Sequence, residues 1–218
     1  LLGQASARGE KLTPAELSAR VATIVGNREV QGTLAAIRAA GSDVRYEALD
    51  VTDSAAVARV LVDVRAGFGP IAGVIHGAGV IADKLIAEKT DAQAERVLAT
   101  KIRGLFALLS ATESDELRFF VSFSSVAGRA GNRGQCDYAM ANEVLNKVSC
   151  LEQSRRPGCT FKSIGWGPWE SGMVSPALRA HFEAAGVPLV TLAGGPRSML
   201  DEIASGGPVD VVIGAEPH

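Results

Sequence analysis

Short apolar runs rich in β-branched residues alternate along this chain with helix-period segments of ten residues or more, and that alternation constrains the fold more than any other feature. Val44 to Leu49 reads as a strand, and Asp50-Val51-Thr52-Asp53 as a turn that can cap a helix running to about Gly67. Ile71 to His76 reads as a buried strand entering the glycine-rich stretch His76-Gly77-Ala78-Gly79. A helix from about Asp91 to Thr112, a strand from Leu117 to Phe123, a helix from Cys136 to Ser154 and a strand from Thr160 to Gly165 follow. Helices around Pro176 to Ala185 and Pro196 to Ala204 precede a last strand at Val209 to Ile213. Strands separated by crossovers of this length form βαβ units with a parallel sheet. The fold class is therefore α/β, a doubly wound, Rossmann-like parallel sheet.

Residues 3 to 31 are more polar and contain one well-marked helix start, with Thr13 as N-cap, Pro14 at the first helical position and Glu16 three residues after the cap. They read as a connection carrying a surface helix. From Asn27 to Ala40, Val30, Leu34 and Ile37 recur at helical spacing before Gly41, which predicts a second, amphipathic helix. The expected organisation is a connecting segment over 1–31 and a catalytic domain over 32–218.

Composition narrows the class of function. The chain has 218 residues, 47% of them apolar, enough for one domain or slightly more and too apolar for disorder. A net charge of −2 supplies no field for nucleic acid or an anionic membrane, so neither is expected as a partner. Cys136, Cys150 and Cys159 lack CxxC or Cys/His spacing, which points to reduced thiols, a cytoplasmic location and no structural zinc. No apolar run approaches the roughly 18 residues of a membrane span.

In doubly wound sheets ligands bind beyond the carboxyl ends of the strands. Three of those ends carry unusual residues: Gly77-Ala78-Gly79, Ser124-Ser125-Val126-Ala127-Gly128, and Trp166-Gly167-Pro168-Trp169 with Gly172-Met173-Val174 just beyond. Tyr138 follows Ser125 by 13 residues, and Asn142 shares its helix face at i+4, beside the apolar line Ala141, Leu145 and Val148. Lys101 lies 24 residues before Ser125, on the flank of the stripe Leu98, Ile102, Leu105 and Leu109, where a desolvated ammonium is costly without partners. Singly, each has an ordinary explanation: a helix cap for the serine, packing for the tyrosine, a snorkelling surface residue for the lysine.

Together with Ile75-His76-Gly77-Ala78-Gly79, Phe123-Ser124-Ser125-Val126-Ala127-Gly128, Gly134-Gln135 and Tyr138-Ala139-Met140-Ala141-Asn142, they resemble the ketoreductase domains of polyketide and fatty-acid megasynthases, within the short-chain dehydrogenase/reductase superfamily. Asn142-Glu143-Val144-Leu145-Asn146-Lys147 and Trp166-Gly167-Pro168-Trp169-Glu170-Ser171-Gly172-Met173-Val174 are most similar to the iterative synthases of polyunsaturated fatty acids and related polyketides. Ordinary members of the superfamily use Tyr-x-x-x-Lys. Here the fourth residue after Tyr138 is Asn142, and Lys101 comes from the preceding long helix, as in the megasynthase ketoreductases.

The resemblance implies an oxidoreductase that reduces a β-ketoacyl group on an acyl carrier protein to the (D)-3-hydroxyacyl thioester with NADPH, beside neighbouring megasynthase domains. It implies Ser125, Tyr138, Lys101 and Asn142 as catalytic residues. Ser125 and Tyr138 would bind the ketone oxygen, Tyr138 would donate the proton, Lys101 would lower the phenol's pKa, and Asn142 would hold a water or Lys101 in the relay. Asp50 and Val51 would flank the adenine. Gly77, Ala78 and Gly79 would face the ribose and nicotinamide together with Tyr138, and Gly167, Pro168, Met173 and Val174 would shape the nicotinamide pocket. In the family, an Asp in the loop after the His-x-Ala-Gly motif accompanies D-hydroxyl products and a Trp eight residues before the Tyr accompanies the opposite hand. Asp83 ends Ile81-Ala82-Asp83, a partial match, and the residue eight before Tyr138 is Ala130.

One family element has no counterpart here: no GxGxxG stands in a strand, turn, helix unit near the start of the chain. With Leu1-Leu2-Gly3 as the tail of a second strand, the family's arginine for the 2′-phosphate is replaced by Gln4. The first strand and glycine-rich loop are expected from residues upstream of Leu1. Two other readings stay open on the sequence: a reductase-like region kept as a non-catalytic scaffold or carrier-docking domain, and a free-standing dehydrogenase for a small alcohol. Intact Lys101, Ser125, Tyr138 and Asn142 weigh against the first, and the Asn142/Lys101 exchange against the second.

Overall fold

A computed structural model describes residues 13–214, apart from 173 and 175. The chain divides between residues 48 and 49 into two compact units. The first contains helix α1, Pro14–Ala39. Its start is the expected capping box, in which the Glu16 amide donates to Thr13 Oγ1 at 3.2 Å and the Thr13 amide to Glu16 Oε2 at 2.8 Å. The two helices expected before Gly41 are one. Gly26 and Gly32 lie inside it without breaking the ladder, and the boundary drawn between residues 31 and 32 falls within it. Gly41 adopts φ +83°, a left-handed value that suits glycine just past a helix end.

Residues 42–50 form no strand, which corrects the reading of Val44 to Leu49. The run has the right composition, but a strand exists only as part of a ladder, and it has no ladder partner among the described residues.

The second unit follows the expected alternation. Helix α2 (Ser54–Phe68) begins on Asp53, whose Oδ1 accepts the Ala56 amide at 2.9 Å. Strands β1 (Gly73–His76), β2 (Phe119–Ser125), β3 (Thr160–Trp166) and β4 (Asp210–Ile213) run parallel and lie side by side in chain order. Between β1 and β2 the chain is helical over α3 (Asp91–Leu98), a π-helical turn (Ala99–Arg103) and α4 (Gly104–Ala111). A short helix α5 (Val126–Ala130), not among the expected elements, follows β2 directly, and then come α6 (Cys136–Arg155), α7 (Pro176–Ala184) and α8 (Gly194–Ser205).

Both faces of the sheet are covered, as a parallel sheet requires. On one, Leu105 and Leu109 of α4 and Leu145 of α6 pack with Phe120 and Phe161, whose rings stack 5.5 Å apart. On the other, Val121, Ile164 and Trp166 pack with Met199 and Ile203 of α8. The buried side of α6 is partly polar, and those groups tie it to the sheet: Ser163 Oγ donates to Asn146 Oδ1 at 2.7 Å, and Ser124 Oγ to the Asn142 carbonyl at 3.2 Å. Satisfied in this way, they fix the height of α6 against β2 and β3. Among the described residues no helix is long and apolar enough to cross a membrane, and no cluster of His, Cys, Asp and Glu could hold a metal ion.

Candidate active site

Lys101 sits in the π-helical turn, 3% exposed. Such turns widen a helix locally and are common where a side chain must be re-aimed. Lys101 Nζ donates to the Phe123 carbonyl at 2.8 Å and lies 5.5 Å from the centroid of the Tyr138 ring, within cation–π range. Burial lowers its pKa from 10.5 to about 8. The His76 ring fixes the turn from below, since its Nε2 bonds the Lys101 carbonyl at 2.8 Å. A carbonyl only accepts, so Nε2 carries the hydrogen. Burial, helped by the charge of Lys101, lowers the His76 pKa against the opposing effect of that bond.

Ser125 closes β2 and caps α5, its Oγ accepting the Ala127 amide at 3.2 Å. The capping role considered for it is therefore real, and it does not consume the hydroxyl hydrogen. Tyr138 stands in the first turn of α6, and burial raises its pKa, aided by Asp83 and opposed by the Asn142 and Ser125 side chains. Desolvation outweighs the polar contacts, so the net direction at Tyr138 is upward.

Asn142 is fully buried one turn further on, with its Nδ2 donating to the Tyr138 carbonyl at 2.7 Å and its Oδ1 left without a partner. Gly128 of α5 lets the two helices meet, because a Cβ there would stand 3.0 Å from Asn142 Cβ. Gly79 performs the same service opposite: a Cβ would fall 3.1 Å from Lys101 Cε and 3.3 Å from Nζ. Lys101, Ser125, Tyr138 and Asn142 thus gather at the carboxyl edge of β1 and β2.

The other candidates are more dispersed. Gly77 is exposed, Ala78 half-buried, Gly167 buried, and Pro168 and Val174 half-buried. Val51 packs at Gly104, where a Cβ would meet Val51 Cγ1 and His76 Cε1 at 3.0 Å each. Asp50 is exposed and its Oδ1 accepts the Thr52 amide at 2.9 Å, which lowers its pKa. Gln4 and Met173 lie outside the described residues.

Two residues absent from the sequence reading pair beside Tyr138, whose amide donates to Asp137 Oδ1. Lys89 and Asp137 form an ion pair at 2.8 Å with side chains only 5% and 3% exposed. No local spacing announces a pair 48 residues apart. The one signal was an acidic residue in the first turn of α6, where a carboxylate also suits the helix dipole.

A doubly wound sheet with serine, tyrosine and lysine converging at its carboxyl edge defines the short-chain dehydrogenase/reductase class of fold. The KR domain pattern matches residues 15–171, and this chain belongs to the KR, or ketoreductase, domain family. A polyunsaturated fatty acid synthase from Thraustochytrium sp. is 38% identical over 211 residues, 96% of this chain and 7% of that protein. Polyketide synthase PksN of Bacillus subtilis is 34% identical over 162 residues, 72% of this chain and 3% of that protein. Among solved structures, a ketoreductase domain from the bacillaene assembly line aligns with TM-score 0.74 at 30% identity over 84% of this chain and 45% of that one. An N-terminal ketoreductase from the macrolactin assembly line aligns with TM-score 0.75 at 28% identity over 87% of this chain and 37% of that one. The chain thus spans less than a tenth of these synthases and under half of these solved chains, and its relatives are parts of multidomain synthases.

Proposed function

We propose that this chain reduces a β-ketoacyl group carried on an acyl carrier protein to the D-3-hydroxyacyl thioester, with NADPH, inside a cytoplasmic polyketide or fatty-acid megasynthase. The observation that carries the reading is the convergence of the Lys101 ammonium on the Tyr138 ring beside Ser125. The described residues fit a nicotinamide nucleotide: Gly77 is open, Gly79 leaves backbone bare against Lys101, and Asn142 Oδ1 is a buried acceptor in want of a donor. Gly77 to Gly79 and Tyr138 would hold its ribose and nicotinamide, Gly167, Pro168 and Val174 the far side of the ring, and Asp50 and Val51 the adenosine end. When bound, it supplies the hydride that the β carbon gains.

The remaining chemistry belongs to the chain. Ser125 Oγ accepts the Ala127 amide and its side chain meets the Tyr138 phenol, so its hydrogen can turn to the ketone oxygen as negative charge grows there. Tyr138, a phenol that is protonated at neutral pH, gives its proton to the same oxygen. The phenolate left behind is met by the Lys101 ammonium, whose two hydrogens not used on Phe123 can take part in restoring the proton. Asn142 has its amide nitrogen fixed on the Tyr138 carbonyl, which presents Oδ1 to a water or to Lys101 in that relay.

The test is NADPH oxidation by the full-length polypeptide with β-ketoacyl carrier thioesters and with free small ketones, followed by chiral chromatography. Carrier-bound substrate should be preferred and the D-3-hydroxyacyl product should predominate. Equal use of free ketones would remove the carrier, and an excess of the L product would remove the stereochemical assignment.

A further inference from the structure

The segment from Ile81 to Lys89 leaves the site two residues after Gly79 and is lashed back to the start of α6 at three points. The Lys84 amide donates to the Gly134 carbonyl at 3.0 Å, and Gln135 Nε2 to Asp83 Oδ2 at 2.9 Å. The third point is buried. Lys89 Nζ donates to both Asp137 carboxylate oxygens at 2.8 Å and to the Ala82 carbonyl at 2.7 Å, while Asp137 Oδ1 also accepts the Tyr138 amide at 2.9 Å. All three anchors fall within four residues of Tyr138.

A buried ion pair contributes little net stability over apolar residues of similar volume, and its best-attested use is to fix one register among alternatives. Here the register is that of a short stretch against the proton donor. The stretch exposes Ile81, Leu85 and Ile86, the last at 78%, which is the surface chemistry an aliphatic acyl chain would bury.

We infer that the Lys89–Asp137 pair is a positioning device that holds residues 81–88 as an apolar wall for the acyl chain in fixed relation to Tyr138, and so decides which face of the ketone meets the hydride. The inference rests on the ketoreductase reading above. Lys89 and Asp137 are positioning residues; neither need touch the substrate. Their carbonyl and amide partners, Ala82 and Tyr138, couple the wall and the proton donor through a single carboxylate.

The experiment compares the full-length wild type with Lys89→Met/Asp137→Asn, and with Lys89→Arg. The double variant leaves no buried charge unpaired and keeps an oxygen for the Tyr138 amide, so it preserves the fold while cutting the lash. Expected for the double variant are a rise of about tenfold in KM for the β-ketoacyl thioester and about tenfold more of the minor hydroxyl enantiomer, with a smaller change in kcat and an unchanged KM for NADPH. Lys89→Arg, which keeps a cation opposite Asp137, should restore the enantiomer ratio to within about threefold of wild type. A double variant with altered thermal stability but wild-type KM and enantiomer ratio would show the pair to be merely structural and overturn the inference. A wild type that reduces no ketone would instead bring down the underlying reading, and this inference with it.

Discussion

The Lys101 ammonium lies over the Tyr138 ring, 5.5 Å from its centroid, although the two residues belong to different helices 37 positions apart. The π-helical turn at Ala99–Arg103 and the His76 bond to the Lys101 carbonyl aim the lysine inward, and the Phe123 carbonyl receives it. Burial then weakens both groups as ions, bringing the lysine to about 8 and pushing the phenol up.

The pH dependence of reduction follows. Lys101 is protonated below about 8 and loses its proton above it, so kcat/KM for the wild type should fall by roughly tenfold per pH unit beyond that point. Lys101→Met should be slower by roughly 100-fold at neutral pH and should lack this descending limb. Superimposable pH profiles would show that Lys101 takes no part in proton transfer.

The same lysine makes stability depend on pH in a predictable direction. Its folded pKa lies below the unfolded value of 10.5, so the unfolded chain holds this proton more tightly. The cost, on the order of 3 kcal/mol, is full below about pH 8 and is relieved as pH climbs toward the unfolded value. Lys101→Met should therefore be more stable than wild type at pH 7, with the gap narrowing by roughly 1 kcal/mol by pH 9. Urea denaturation at the two pH values measures it, and a gap that stays constant contradicts the burial of a charged lysine.

Gly79→Ala probes the close approach of the glycine backbone to Lys101 without removing a polar group. The added methyl would stand 3.1 Å from Lys101 Cε, the flexible end of a long side chain, so the lysine should yield and the backbone should not. Reduction should drop by about tenfold while stability changes by less than about 1 kcal/mol. Wild-type turnover would mean that the position of Lys101 is loosely specified.

Much of this was legible in the sequence because it is local. Tyr138 and Asn142 at i and i+4 share a helix face, Thr13 and Glu16 form a capping box, and strands and helices from Ser54 onward follow their hydrophobic periods with ends shifted by one or two residues. Val44 to Leu49 failed because strand propensity cannot act without a ladder partner. The merger of two helices into α1 failed differently: glycines at 26 and 32 are weak breakers that a continuous ladder tolerates. The π-helical turn, the Lys89–Asp137 pair and the direction of the Tyr138 shift depend on contacts between elements far apart in the chain, for which no spacing rule exists.

Tyr138→Phe addresses the central claim most directly, since it deletes one oxygen and its proton from a residue whose ring packing is otherwise kept. In the full-length polypeptide, reduction of a β-ketoacyl thioester should fall by at least about 1000-fold, with NADPH affinity and thermal stability close to wild type. Reduction within about tenfold of wild type, roughly 1.4 kcal/mol of barrier, would contradict the assignment of Tyr138 as the proton donor.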